Sequence, residues 1–271
     1  MKKIVVITGA SSGIGYETAK YLNQKGYKVY ALARRLDKLN TLKEFGINIY
    51  QLDITDYKES KRIINEIYLK EGKIDVLFNN AGFGLYGPIE EVTLDDAKYQ
   101  FDVNLFSLAN LIKLTTPLMR ESGGGLIINT SSIGGKVASL LGGWYHASKY
   151  ALEGLTDSLR LELKPFNIKL VLLEPGLIQT EFPGITIKKA EEISKDSPYY
   201  DVVMRVRDRA HEDFIVKKIG TDPLIVAKKV FKIVKSKRPK TRYVVGKLGY
   251  TAILGRKFLP DKLLDKILTK R

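Results

Sequence analysis

A chain of 271 residues with 44% apolar content can bury one large core, and its glycines and prolines are scattered at turns rather than gathered into a linker. It has no cysteine, which excludes disulfides, thiolate metal sites and cysteine nucleophiles; its two histidines, His146 and His211, show no metal-binding spacing. The net charge of +15 is uneven, with residues 221–271 carrying net +12 and residues 1–220 net +3.

Strand-like runs fall at 3–8, 27–33, 47–52, 74–79, 125–131, 168–174 and 242–245, separated mostly by helical patterns. Strands alternating with helices imply parallel crossovers and an α/β domain. Inner runs such as Ile74–Phe78 and Ile168–Leu173 are mostly apolar, as required when helices cover both faces of a sheet. In such sheets ligands bind beyond the carboxyl ends of the strands, which is where the informative residues lie.

The first run ends in Gly9-Ala10-Ser11-Ser12-Gly13-Ile14-Gly15, and a helical pattern follows from Tyr16 to Gln24. Glycines permit a sharp turn and close approach to a ligand, and a helix start offers free N–H groups and a positive dipole end to a diphosphate. The spacing is GxxxGxG rather than GxGxxG, so a plain tight turn is the competing reading. Asn80-Ala81-Gly82 follows the fourth run, Ser132 the fifth and Pro175-Gly176 the sixth. Thirteen residues beyond Ser132 comes Tyr145, and four beyond that Lys149. On a helix the last two stack roughly 6 Å apart along the axis. An adjacent ammonium stabilises a phenolate, so Lys149 is expected to lower the pKa of Tyr145 and fit it for proton transfer. His146 is expected on the helix surface.

Thr8-Gly9-Ala10-Ser11-Ser12-Gly13-Ile14-Gly15, Asn79-Asn80-Ala81-Gly82, Asn104, Ser132, Tyr145-x-x-x-Lys149 and Pro175-Gly176, in this order, resemble the short-chain dehydrogenase/reductase family over about residues 1 to 182. The resemblance implies a single doubly wound Rossmann domain spanning 1–271, with a mostly parallel seven-stranded sheet. It also implies a nicotinamide dinucleotide and hydride transfer between a carbonyl and an alcohol. By the same resemblance Tyr145 is the general acid/base, Lys149 lowers its pKa and binds the nicotinamide ribose, and Ser132 holds the substrate oxygen. Asn104 then joins a proton relay through water; a buried, satisfied structural amide is the other reading. The remaining cofactor contacts implied are Gly9, Ser11, Ser12, Gly13, Ile14 and Gly15 at the phosphates, Asp53 at the adenine, Asn80, Ala81 and Gly82 at the adenosine ribose, and Pro175, Gly176, Ile178 and Thr180 at the nicotinamide.

NADP(H) is favoured over NAD(H) because Ala33 occupies the place where an NAD-type enzyme puts an acid, and Arg34 and Arg35 follow it. Arg34 is expected to pair with the 2′-phosphate, assisted by the Ser12 hydroxyl. Residues 181–220 resemble the segment that closes over substrate in this family; their aromatic residues, including Phe182, Tyr199, Tyr200 and Phe214, either line a hydrophobic pocket or pack two helices on the core. An apolar ketone, aldehyde or secondary alcohol is the substrate expected. A non-catalytic NADP(H)-binding sensor or scaffold is the alternative function.

Residues 249–271 form a basic amphipathic extension, with Leu263, Leu264, Ile267 and Leu268 on one helical side and Lys262, Lys266 and Lys270 along another. It suits either peripheral contact with an anionic membrane or packing against protein. No nucleic-acid recognition motif accompanies the charge. No run of about eighteen apolar residues occurs and the apolar start is too short for a signal peptide, so a cytoplasmic protein is expected. Thr93–Ser122 and Trp144–Phe166 read as two long helices with apolar positions to spare, including Leu105, Phe106, Leu108, Leu111 and Leu155. A homodimer or homotetramer built on them is expected.

Overall fold

The computed structural model describes residues 2–269, the side chain of Ile215 excepted. Seven strands, β1 (Ile4–Thr8), β2 (Lys28–Ala33), β3 (Asn48–Gln51), β4 (Val76–Asn79), β5 (Gly125–Thr130), β6 (Ile168–Pro175) and β7 (Arg242–Val245), form one sheet in the order β3-β2-β1-β4-β5-β6-β7. Every neighbouring pair is parallel, so the sheet is parallel throughout rather than mostly so. The strands match the apolar runs of the sequence to within a residue or two, because a strand covered on both faces needs an almost unbroken apolar stretch.

The connecting helices are α1 (Gly13–Gln24), α2 (Leu36–Asn40), α3 (Tyr57–Glu71), α4 (Leu94–Phe101), α5 (Ser107–Glu121), α6 (Gly143–Leu163), α7 (Phe182–Ile193), α8 (Tyr200–His211), α9 (Pro223–Lys235), α10 (Gly249–Phe258) and α11 (Asp261–Thr269). One face of the sheet packs on α1 and α9, through Ala19, Leu22, Val226, Val230 and Ile233. The other packs on α3, α5 and α6, through Ile63, Ile67, Leu108, Leu111 and Leu152. Chain order reverses between β1 and β4, and this crevice is where a doubly wound sheet receives its ligand.

Three expectations change. Leu108 and Leu111 belong to the sheet-facing core, at 3% and 0% exposure, because α4 and α5 are joined by a π turn over Asp102–Phe106 that rotates the following helix. Phe106 is exposed as expected, and Leu94, Tyr99, Tyr150, Leu161 and Phe166 are the other large exposed apolar residues of the two stretches. His146 is buried, not on the surface: Nδ1 meets the Gly134 carbonyl at 2.9 Å, and Nε2 accepts from Ser139 N at 2.9 Å. The extension from 249 is two helices, with Leu264 turned inward and Leu263 and Ile267 exposed; Lys270 and Arg271 lie outside the described residues.

Candidate active site

The turn after β1 is built around glycine for steric reasons. Gly9 and Gly13 adopt left-handed backbone, with φ of 65° and 53°. A Cβ on Gly9 would sit 2.7 Å from the Ala81 Cα, and one on Gly15 would sit 2.4 Å from the Gly9 carbonyl oxygen. Thr8 Oγ1 accepts from Asn80 N at 3.1 Å and Ala81 N at 3.0 Å, which locks the end of β4 against the turn. Helix α1 starts at Ser12 without a side-chain cap and without an acid in its first turn. Its free N–H groups and bare backbone fit the diphosphate of a dinucleotide, and glycine at 9 and 15 lets the turn pack against Ala81 and against itself.

On the far side of the crevice, Ser132 follows β5 and Tyr145 and Lys149 stand in the first turns of α6. Ser132 caps a short 3-10 turn by accepting from Gly134 N at 2.9 Å, and its hydroxyl is near enough to the Tyr145 phenol to pull that group's pKa down. Lys149 Nζ donates to the Thr130 carbonyl at 2.8 Å and lies 6.0 Å from the centre of the Tyr145 ring. Both side chains are buried. Burial pushes the Tyr145 phenol up, with Tyr86 adding to the shift and the Ser132 hydrogen bond opposing it. Burial pushes the Lys149 ammonium down to about 8, against the pull of the Glu153 carboxylate one turn later. The phenol is thus raised where the sequence led one to expect it lowered, and Lys149 is not among the causes of its shift.

Asn104 sits in the π turn with its amide fully engaged. Oδ1 accepts from Phe83 N at 3.1 Å, and Nδ2 donates to the Phe83 carbonyl and to Ser148 Oγ, each at 3.0 Å. Ser148 in turn donates to the Tyr145 carbonyl at 2.7 Å. Gln100 pairs with Leu85 N and the Phe83 carbonyl in the same way. The side chain of Asn104 is thus satisfied within the protein and ties the loop after β4 to α6.

The basic side differs from expectation in one residue. Arg34 turns away from the glycine turn to Tyr99 Oη at 2.9 Å and to Asp53 at 3.8 Å. Asp53 is occupied as a turn former, accepting from Thr55 N at 3.0 Å. Arg35 is the residue that reaches the turn, donating to Ser12 Oγ at 2.7 Å and to Ser11 Oγ at 3.3 Å. A cavity of about 230 Å³ opens here between Ser11, Ser12, Tyr16, Lys38, Thr41 and Glu181. Lys38 and Glu181 were not singled out in the sequence, because neither belongs to a local pattern and only the fold brings them together.

Beyond β6, a Cβ on Gly176 would lie 2.4 Å from the Lys247 carbonyl, which explains glycine at that position. Ile178 is buried, and the Thr180 methyl would meet a Cβ on Gly13 at 2.8 Å, so this stretch closes the crevice opposite the glycine turn. The Tyr145 ring is covered by Phe182 at 5.6 Å and by Tyr86 at 5.7 Å. Tyr86 carried no signal in the sequence beyond being one aromatic in a loop.

The profile of the short chain dehydrogenase family matches residues 3–190. A probable short-chain type dehydrogenase/reductase, VdlC, of Helicobacter pylori is 35% identical over 97% of this chain and 96% of its own length. An NADPH-dependent 3-dehydrocapnine reductase of Ornithobacterium rhinotracheale is 34% identical over 99% and 96%. The crystal structure of a short-chain dehydrogenase from Streptomyces avermitilis superposes with a TM-score of 0.80 at 27% identity, covering 100% of this chain and 96% of that one. Solved chains of the same fold include complexes with NADP and with NAD. The chain is a member of the short-chain dehydrogenase/reductase family of oxidoreductases.

Proposed function

We propose that the protein is an NADP(H)-dependent oxidoreductase that interconverts a carbonyl and an alcohol on an apolar ketone, aldehyde or secondary alcohol. The observation that carries this reading is the buried pair of Tyr145 and Lys149, with Lys149 Nζ 6.0 Å from the centre of the Tyr145 ring and Ser132 beside the phenol. A bound nicotinamide would supply or accept the hydride. In reduction, Tyr145 donates its proton to the substrate oxygen as charge builds there, and takes it back in oxidation. Ser132 donates a hydrogen bond to the same oxygen, which positions the carbonyl and stabilises developing charge. Lys149, with its pKa near 8, holds positive charge behind the phenol at neutral pH and favours the phenolate left after proton transfer. Asn104 and Ser148 keep the start of α6 in register with the loop after β4.

Ala33 at the end of β2, with Arg35 and Lys38 beside Ser12, supports NADP(H) over NAD(H). The NADPH dependence in the name of the Ornithobacterium relative agrees with this. The aromatic cover of Tyr145 supports an apolar substrate. Exposed Tyr250, Leu254 and Phe258 recur every four residues on α10, and exposed Leu263 and Ile267 are four apart on α11, with Lys257, Lys262 and Lys266 among them in sequence. This surface suits peripheral contact of a cytoplasmic enzyme with anionic membranes, from which apolar substrates partition. No helix among the described residues is long and apolar enough to cross a membrane. Phe106 in the turn between α4 and α5, with Tyr150 and Leu161 on α6, supports a homodimer or homotetramer. The test is NADPH oxidation against ketones and aldehydes of graded apolarity: turnover that rises with apolarity is expected, and no turnover with any carbonyl contradicts the reading.

A further inference from the structure

Glu181 immediately precedes α7, and its carboxylate is held by two cations across the crevice. It accepts from Arg35 Nη1 at 2.8 Å and from Lys38 Nζ. The same guanidinium reaches Ser12 Oγ, and the adjoining cavity is lined by Ser11, Ser12, Lys38 and Glu181. A side-chain carboxylate therefore occupies the cations that a phosphate beside Ser12 would need. The next residue, Phe182, rests on Tyr145 and is seated tightly, since a Cβ on Gly84 would lie 2.6 Å from its Cζ. One residue holds the cations and its neighbour's ring lies against the ring of Tyr145.

We propose that Glu181 is a latch on the cover of the active site, and that the 2′-phosphate of NADP(H) releases it by taking over Arg35 and Lys38. The inference rests on the proposed NADP(H) reading. A phosphate monoester carries more charge than a carboxylate and has three acceptor oxygens, so it wins the competition for a guanidinium and an ammonium. The two anions repel if they share these cations. Arg35, Lys38 and Glu181 have side chains 39%, 38% and 44% exposed, so both cations are within reach of an incoming phosphate. Freed of its anchor, Glu181 lets Phe182 leave Tyr145 and admits the carbonyl. NADH lacks the phosphate and leaves the latch engaged. Discrimination between the cofactors thus acts on substrate access as well as on affinity, and cofactor binds before substrate.

Trp144, the single tryptophan of the chain, reports on this directly, because it and Ile193 at the end of α7 pack against the same small cluster of Leu85, Val92 and Ala97. The experiment titrates the full-length protein and Glu181→Gln with adenosine 2′,5′-bisphosphate and with ADP, following Trp144 emission. The bisphosphate is expected to shift the emission of the parent protein while ADP does not. Glu181→Gln is expected to show the shifted emission without ligand and to bind the bisphosphate severalfold tighter, with ADP affinity unchanged. Weaker bisphosphate binding by Glu181→Gln, or equal emission shifts with both nucleotides, overturns the latch. A parent protein that prefers the bisphosphate while Glu181→Gln changes neither affinity nor emission also overturns it, and leaves the NADP(H) reading intact. If the parent protein binds both nucleotides equally but Glu181→Gln tightens only the bisphosphate, the NADP(H) preference falls and the latch stands.

Discussion

The ring of Phe182 lies 5.6 Å from that of Tyr145, so the first residue of the covering helix rests on the side chain that bears the reactive hydroxyl. Together with Tyr86 it removes the phenol from water, and this desolvation is the largest cause of the raised Tyr145 pKa. Phe182→Ala opens that side of the site. The ratio of kcat/KM for a bulky ketone to that for a small one is expected to rise, because the ring occupies the path to Tyr145. Steady-state kinetics on a paired bulky and small substrate check this, and an unchanged ratio places the substrate path elsewhere.

The two adjacent arginines separate by position. Arg35 contacts Ser11 and Ser12, whereas Arg34 is spent on Tyr99 and Asp53. A hydrogen bond to a charged group is worth about 1.5–3 kcal/mol, so Arg35→Ala should weaken NADPH about 10-fold or more while leaving NADH within about twofold. Arg34→Ala should have the smaller effect. Fluorescence titration of both reduced cofactors decides it; a larger loss at Arg34 would return the phosphate contact to that residue.

Much of this was legible in the sequence. The seven apolar runs located the strands because burial on both faces leaves little freedom in composition. The Tyr145 and Lys149 spacing located the phenol and its cation because helix geometry fixes which residues share a face, while Ser132 was assigned by the family resemblance. What escaped depended on side-chain direction or distant contacts. Nothing local distinguishes Arg34 from Arg35. The burial of His146 depends on a loop carbonyl twelve residues away, and the pairing of Glu181 with Lys38 spans 143 residues. The π turn at Asp102–Phe106, which sends Leu108 and Leu111 into the core, has no compositional signature.

A buried carboxylate makes stability depend on pH. Glu174 on β6 is 2% exposed, and burial, reinforced by repulsion from Glu153, pushes its pKa up to about 7 against the attraction of Lys136 and Arg242. Well below the ordinary carboxylate range both folded and unfolded chains hold the proton, and Glu174 costs nothing. As pH rises from the ordinary carboxylate value of 4.5 to about 7 the unfolded chain releases this proton while the folded chain keeps it, so the stability present at low pH is lost across that window and the loss is complete above it. Glu174→Gln should therefore raise Tm at pH 8 and change it little at pH 5. Thermal melts at the two pH values check this; an equal shift at both, or a drop at pH 8, contradicts the assignment.

Assembly provides an independent test. Phe106 and Leu161 are 55% and 70% exposed on the outer side of the α4–α5 and α6 region. Light scattering at low protein concentration is expected to give a dimer or tetramer mass, and removal of residues 249–271 is expected to leave it unchanged. A monomer in the full-length protein refutes the oligomer, and a monomer only after truncation moves the interface to α10 and α11.

The proton-transfer role of Tyr145 is the centre of the account, and Tyr145→Phe tests it most directly because one hydroxyl is removed and the ring is kept. General acid/base catalysis contributes about 10²–10⁴-fold, so NADPH turnover on the best carbonyl substrate should fall by that order while NADPH affinity, measured by fluorescence titration, stays within about twofold. Retained turnover in Tyr145→Phe would contradict the role of Tyr145 as proton donor.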